Sequence, residues 1–310
     1  MSKVCIVTGA SRGLGRGIAL VLAREEGCAV YATARNEEAL KSLSEDAAAG
    51  TKGGSVNPCV LDQSDDGAVR AFVEQVKAKE TQVDMLVNSA YGGLIAIGPH
   101  FGKPFWERPL SVFDASIDIG LRSAHVMSAL VVPMMVKKKS GLIVQISSFG
   151  GVGYLFDIGY GVGKAGLDRL TTDMAAELKP HGVHAVTLYP GGAVTETTAF
   201  PGGETPVFTG RAVAALLNKA TKVDLERFSG KVVQTAELAV DYQFTDVNGE
   251  IPDGPFAGVE FAKQCREAMT KPLTQYDMDA DLPDTSETNN PDVGGLFSGG
   301  LKFSGDSLHS

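Results

Sequence analysis

An apolar run, Val4-Cys5-Ile6-Val7, stops at Thr8-Gly9-Ala10-Ser11-Arg12-Gly13-Leu14-Gly15 and passes directly into residues with helical spacing, Leu14, Ile18, Val21 and Leu22. A strand, a glycine-rich turn and a helix in immediate succession leave few folds open. Glycines here let the chain turn sharply and let its backbone approach a ligand at the helix N-terminus. There, free N–H groups and the helix dipole favour the negative charge of a pyrophosphate. In isolation the spacing would also suit a plain tight turn. The strand before it and the helix after it favour a dinucleotide cradle.

The same alternation continues along the chain. Short apolar runs recur at Ala29–Ala32, Val56–Leu61, Met85–Val87, Leu142–Ile146 and Val183–Leu188. Most are apolar without alternation, as in parallel strands covered on both faces. Helix-period segments lie between them, such as Leu167, Leu170, Met174 and Leu178. A run from Lys231 to Val240 would add a last strand or strand–helix unit. The expected fold is α/β, a Rossmann-like doubly wound parallel sheet with helices on both faces. Residues 1–270 would form a single domain, with substrate loops at about 91–110 and 192–230. Residues 271–310 hold seven acidic and two basic residues among many Gly and Ser. Such a segment buries too little apolar surface to offset its ordering entropy and reads as a flexible acidic C-terminal tail. The competing reading is a short linear motif on Phe297 and Phe303.

The chain's 28 Lys plus Arg stand against 37 Asp plus Glu, a net charge of -9. This argues against a nucleic-acid partner and against docking on an anionic membrane. The most apolar stretch, Val126–Val136, is eleven residues long, contains Pro133 and ends in three lysines. An integral span needs about 20 apolar residues, so none is expected. Val4–Val7 is too short for the apolar core of a signal peptide. Cys5, Cys28, Cys59 and Cys265 form no Cys-x-x-Cys pair and read as small residues of a reducing compartment. A soluble, cytoplasmic chain is expected. His100, His125, His181, His184 and His309 have no carboxylate or cysteine partners at metal spacing, so no metal site is expected.

The second strand should end near Ala34, where an NAD enzyme usually places a carboxylate against the ribose hydroxyls. The segment here is Ala32-Thr33-Ala34-Arg35-Asn36, with no acid at its tip. Arg35 and Arg12 would make charge-assisted forks to a 2′-phosphate, while two solvated surface arginines are the plainer reading. NADP(H) is favoured and NAD(H) left open. Glu37 and Glu38 suit the first turn of the next helix.

Tyr160 and Lys164 stand at i and i+4 in a helical segment and so share one face. Ser147 and Ser148 lie at the carboxyl end of the Leu142–Ile146 strand, where ligands bind in open α/β sheets. A free tyrosine, with a pKa of about 10, is a poor acid–base catalyst at neutral pH. A nearby ammonium stabilises its phenolate and lowers that value. A serine hydroxyl can hold a carbonyl oxygen beside the phenol. No Gly-x-Ser-x-Gly elbow surrounds Ser148, which argues against a hydrolase. Asp157 reads as a substrate contact or an exposed loop acid.

These residues resemble the short-chain dehydrogenase/reductase superfamily, in its Thr-Gly-x-x-x-Gly-x-Gly and Tyr-x-x-x-Lys branch. The resemblance covers about residues 1–200. It includes Asp62, Asn88-Ser89-Ala90 where the family has Asn-Asn-Ala-Gly, and Pro190-Gly191-Gly192-Ala193-Val194-Thr195. Tyr91, Pro104–Pro109, Gly120-Leu121-Arg122, the Tyr160–Lys164 form and Asp246–Gly249 resemble a narrower dehydrogenase/reductase branch. The resemblance implies an NADP-dependent carbonyl reductase or alcohol dehydrogenase acting by hydride transfer. Gly9, Ser11, Arg12, Gly13, Leu14, Gly15 and Arg35 would bind the cofactor. Asp62 would hold the adenine end, Asn88 and Ala90 the pyrophosphate and ribose, and Pro190, Gly191, Ala193 and Thr195 the nicotinamide end. Tyr160 would be the general acid/base, Lys164 would bind the nicotinamide ribose, and Ser148 would orient the substrate oxygen. The usual spacing of thirteen to the tyrosine belongs instead to Ser147.

The expected substrate is a small apolar ketone, aldehyde or alcohol. Ile95, Ile97, Phe101, Phe105 and Trp106 in the loop Leu94–Pro109 would wall its pocket, and a self-packed surface loop is the alternative. Self-association is left open. Gly120 occupies the place of a family asparagine whose backbone carbonyl holds a water linked to the lysine. Because glycine tolerates an irregular helix there, Gly120→Asn is expected to change turnover by less than about tenfold, roughly 1.4 kcal/mol of barrier. A damaged relay would instead suit a non-catalytic NADP-binding sensor or scaffold of the same fold.

Overall fold

The computed structural model describes residues 2–271. The expectations for 271–310, including the motif at Phe297 and Phe303, lie outside the described residues apart from Lys271. Strands β1 (Val4–Thr8), β2 (Ala29–Ala34), β3 (Ser55–Val60) and β4 (Met85–Asn88) alternate with helices α1 (Gly13–Arg24), α2 (Glu37–Ala48) and α3 (Asp66–Lys79). After β4 come α4 (Gly93–Ile97), α5 (Leu110–Ser116), α6 (Ser123–Lys138), β5 (Gly141–Ile146), α7 (Ile158–Leu178) and β6 (Val183–Tyr189). The last elements are α8 (Pro206–Asn218), α9 (Lys222–Phe228), β7 (Val232–Gln234), α10 (Thr235–Tyr242) and α11 (Gly258–Met269). The seven strands form one sheet in the order β3-β2-β1-β4-β5-β6-β7, parallel throughout. The order reverses between β1 and β4. That switch point, at the carboxyl ends of the strands, is where an open α/β sheet leaves a crevice.

Two cores explain why the strand sequences are apolar without alternation. On one face Cys5 and Val7 pack with Ile18 and Leu22 of α1, Leu40 and Leu43 of α2, and Phe208 of α8. On the other, Ile6, Leu86 and Ile143 pack with Val69 and Val73 of α3 and with Met127, Val131 and Met135 of α6. Each inner strand therefore needs apolar side chains in both directions. β3 pairs only with β2 and alternates in exposure, and such an edge can carry Pro58, which has no N–H to donate.

Helix α5 runs through a π-helical segment, Ile117–Arg122, into α6, making one long helix from Leu110 to Lys138. By length and composition this helix is apolar enough to cross a membrane, beyond the eleven-residue stretch read from sequence. Here it is a core helix, with Ala124, Met127, Val131, Met134 and Met135 buried.

Candidate active site

The glycine turn is built for close approach. Gly9 has φ +68°, and a Cβ there would lie 2.7 Å from Ala90 Cα; one on Gly15 would lie 2.3 Å from Gly9 O. Neither position tolerates a side chain. Thr8 Oγ1 accepts hydrogen bonds from the N–H groups of Ser89 and Ala90, both at 3.1 Å, which ties the end of β1 to the loop after β4. Helix α1 starts without a side-chain cap or an acid in its first turn, so its positive end is left for an anion. The Gly13 N–H donates to Glu196 Oε2 at 2.9 Å, so a carboxylate already tests that end. Exposed Arg12 and Arg35 line the same crevice. Asp62 sits beside Arg35, its carboxyl held below the usual range first by the Ser64 N–H and hydroxyl. Backbone cradle, helix end and the exposed cations Arg12 and Arg35 fit a phosphorylated dinucleotide.

The Ser148, Tyr160 and Lys164 side chains stand at the other end of this cavity of about 630 Å³. Asp157 caps α7, accepting from the Tyr160 N–H at 2.7 Å, and so begins the helix that carries Tyr160 and Lys164. Lys164 Nζ donates to Ile146 O at the end of β5, at 2.9 Å. Burial lowers the Lys164 ammonium to about 8, opposed by nearby Asp168. The Tyr160 phenol is pushed up to about 12 by burial, against a hydrogen bond with the Ser148 hydroxyl that lowers it. Ser147 turns away, donating to Lys164 O at 3.4 Å. The structure thus separates the two serines: Ser148 faces the phenol, and Ser147 braces α7. Asp168 is pushed up to about 6 by burial and accepts from the Tyr189 hydroxyl beneath the lysine.

The remaining wall is apolar and largely aromatic, with Leu94, Ile95, Leu155, Phe156, Phe200 and Phe256 among its residues. Phe156 packs edge-on against Tyr160, ring centroids 4.8 Å apart, from a left-handed backbone with φ +63°. The loop after β6 is held from behind by Glu204, which is wholly buried. Glu204 accepts from Gly191 N at 3.1 Å, Thr209 Oγ1 at 2.6 Å and Thr235 Oγ1 at 2.7 Å. Burial raises its carboxyl to about 7.

Of the residues expected in the site, Gly9, Ser11, Arg12, Gly13, Leu14, Gly15, Arg35, Asp62, Ala90, Ser148, Tyr160, Lys164, Pro190, Gly191, Ala193 and Thr195 all line this one cavity. Asn88 does not. Its amide turns into the protein and donates to Ser128 Oγ at 3.0 Å, joining β4 to α6. Asp157 is neither exposed nor on the cavity; it is a buried cap that also faces Arg108 at 3.6 Å. Phe105 and Trp106 point to solvent, Trp106 being 72% exposed, so the pocket wall comes from Leu94 and Ile95 instead. The irregular helix expected at Gly120 is the π-helical segment, but a Cβ there would lie 2.8 Å from the Tyr91 ring. Substitution by asparagine is therefore not the mild change expected from sequence. Glu204 and the Tyr91–Gly120 contact were missed, because each is made across the fold and no local spacing marks it.

The short chain dehydrogenase family pattern matches residues 3–201. The chain is 39% identical over 268 residues to Dehydrogenase/reductase SDR family member 1 of Mus musculus, covering 80% of this chain and 84% of that protein. The Homo sapiens protein of the same name is 40% identical over the same extent. Among solved structures, a metagenomic short-chain oxidoreductase in complex with NADP is 30% identical, with a TM-score of 0.64. That likeness covers 76% of this chain and 98% of the other. The chain belongs to the short-chain dehydrogenase/reductase family of oxidoreductases.

Proposed function

We propose that this chain interconverts an apolar ketone or aldehyde and the corresponding alcohol, using NADP(H) in preference to NAD(H). The observation that carries the reading is that Ser148, Tyr160 and Lys164 converge on one cavity with aromatic walls, with Lys164 Nζ fixed on Ile146 O at 2.9 Å. The nicotinamide cofactor, when bound, supplies or accepts the hydride. Arg12 and Arg35 would hold a 2′-phosphate, and the glycine turn with the N-terminus of α1 would hold the pyrophosphate. In the reductive direction Ser148 orients the carbonyl oxygen and the Tyr160 phenol gives it a proton. The phenolate left behind is stabilised by the Lys164 ammonium, which Ile146 O fixes in place. The apolar wall excludes water and suits a substrate with little polarity besides its reacting group.

Four unpaired cysteines, three of them buried, support placement in a reducing cytoplasm, and imaging of a tagged chain in its native cell tests it. For the activity, the test is NADPH consumption over a panel of apolar ketones and aldehydes, beside a direct measurement of NADPH binding. Turnover of at least one carbonyl is expected. Tight binding with no turnover across the panel would replace this reading with that of a sensor.

A further inference from the structure

Tyr91 leaves the end of β4 and enters the site between two glycines. A Cβ on Gly120 would lie 2.8 Å from its Cδ2, and one on Gly93 would lie 2.2 Å from its hydroxyl. Neither neighbour has room for a side chain while the ring stays where it is. The ring occupies this slot against the catalytic groups. Lys164 Nζ lies 4.7 Å from the Tyr91 centroid, nearer than the 5.6 Å to the Tyr160 ring. Tyr91 and Tyr160 meet edge to face, centroids 5.5 Å apart at 89°. The Tyr91 hydroxyl is tied to Ser116 Oγ at 3.0 Å, and burial with the neighbouring Tyr160 keeps it a neutral phenol. It is therefore no acid–base group itself.

We propose that Tyr91 is a positioning residue, its ring holding the Lys164 ammonium and the Tyr160 ring in their working relation, in a slot that Gly93 and Gly120 keep open. The proposal rests on the carbonyl–alcohol reading above. An ammonium over an aromatic face is attracted by the ring's quadrupole. The other charged or titratable groups facing the pair are Asp168 on the same helix, Asp157 at its cap with Arg108 beyond, and Tyr189 of β6.

The test compares Tyr91→Leu, which removes the ring, with Tyr91→Phe, which keeps it. Losing the cation–ring attraction should lower kcat by about 2- to 30-fold in Tyr91→Leu. The acid limb of the alcohol-oxidation profile should move to higher pH, because the phenolate loses part of its counter-charge. Tyr91→Phe should restore most of the rate and the profile. Gly120→Ala, which leaves Tyr91 intact but drives its ring off, should reproduce the Tyr91→Leu phenotype, and adding it to Tyr91→Leu should cost little more. It also serves if Tyr91→Leu fails to fold. An ultraviolet difference titration of Tyr160, each protein against the same protein carrying Tyr160→Phe, reads the phenol with NADP bound and needs no turnover. It therefore tests Tyr91 even if the wild-type chain turns over no carbonyl. A Tyr160 titration unmoved in Tyr91→Leu and Gly120→Ala would overturn the proposal. So would Tyr91→Phe behaving like Tyr91→Leu, which would shift the role to the Ser116 hydrogen bond.

Discussion

Arg35 stands just past the tip of β2, exposed at the cavity and near Asp62. In the proposed reading it holds the cofactor's 2′-phosphate. A hydrogen bond to a charged group contributes about 1.5–3 kcal/mol. Arg35→Ala should therefore weaken NADPH binding by roughly ten- to hundred-fold and leave NADH binding nearly unchanged, as read by titration of each cofactor. Equal losses for both would place Arg35 outside the cofactor contact. Tyr160 is separable in the same way. Tyr160→Phe keeps the buried ring against Phe156 and should retain NADPH binding, yet it removes the phenol beside Ser148. A general acid is typically worth about 10²–10⁴ in rate, so turnover on an active substrate should fall by at least that range's lower end. The placement of these two residues on the cavity was legible from sequence because its signal is local: an arginine just past a strand tip, and a tyrosine one helical turn from a lysine. Asn88 was misplaced for the opposite reason, since its partner, Ser128, is forty positions away.

Helix α7 carries Tyr160 and Lys164, and Asp157 caps its first turn. Losing an N-cap acceptor costs about 0.5–2 kcal/mol. Asp157→Ala would also leave the buried Arg108 without its carboxylate. The expected result is a lower Tm and reduced turnover, with Asp157→Asn, which still caps, retaining more of both. Thermal melts of the two variants check this. The segment between β4 and α5 divides differently from its hydrophobic composition. Its first part, Leu94 and Ile95, lines the cavity, while Phe105 and Trp106 stack edge-on to each other in solvent, centroids 5.3 Å apart. Trp106→Ala should leave turnover unchanged, whereas Ile95→Ala should raise KM for apolar substrates. Composition marks such a loop as apolar but cannot say which of its side chains face inward.

Glu204 makes the stability of the molecule depend on pH. Folding raises its carboxyl from 4.5 to about 7, chiefly by burial, so the folded chain binds a proton in that window. The stability contributed by this group is whole below the unfolded pKa and is lost as pH rises through the folded one. Glu204→Gln removes that dependence. The melting temperature of the variant, relative to wild type, should climb between pH 4.5 and about 7, at most by the equivalent of about 1.4 kcal/mol per pH unit. Calorimetry across that range decides it, and parallel curves would remove Glu204 as the source. Phe244, with Ile251 packed against it, is the last residue that either hydrophobic core draws on, and Ala262 and Cys265 of α11 are buried beyond it. A chain ending at Lys271 is therefore expected to fold and bind NADPH, and aggregation of that truncation would show otherwise.

The strands, the helices between them, the glycine turn and the Tyr160–Lys164 pair could be read before any coordinates. Each is written in residues a few positions apart, through apolar period, backbone freedom or one turn of helix. Even the short β7 lay within the run from Lys231 to Val240, and the helix after it begins there and ends two residues beyond. Other features depend on which distant segments the sheet brings together. The packing of α7 beside the loop after β4 sets the Lys164 ammonium over the Tyr91 ring, and the return of the chain after β6 buries Glu204 behind Gly191. Ser148 was preferred to Ser147 by analogy; the direction of the chain leaving β5 turns one hydroxyl toward Tyr160 and the other into α7. Local sequence specifies conformations because steric and hydrogen-bonding preferences act over a few bonds. Contacts between remote residues, and the burial that shifts their pKa values, exist only after the chain has packed.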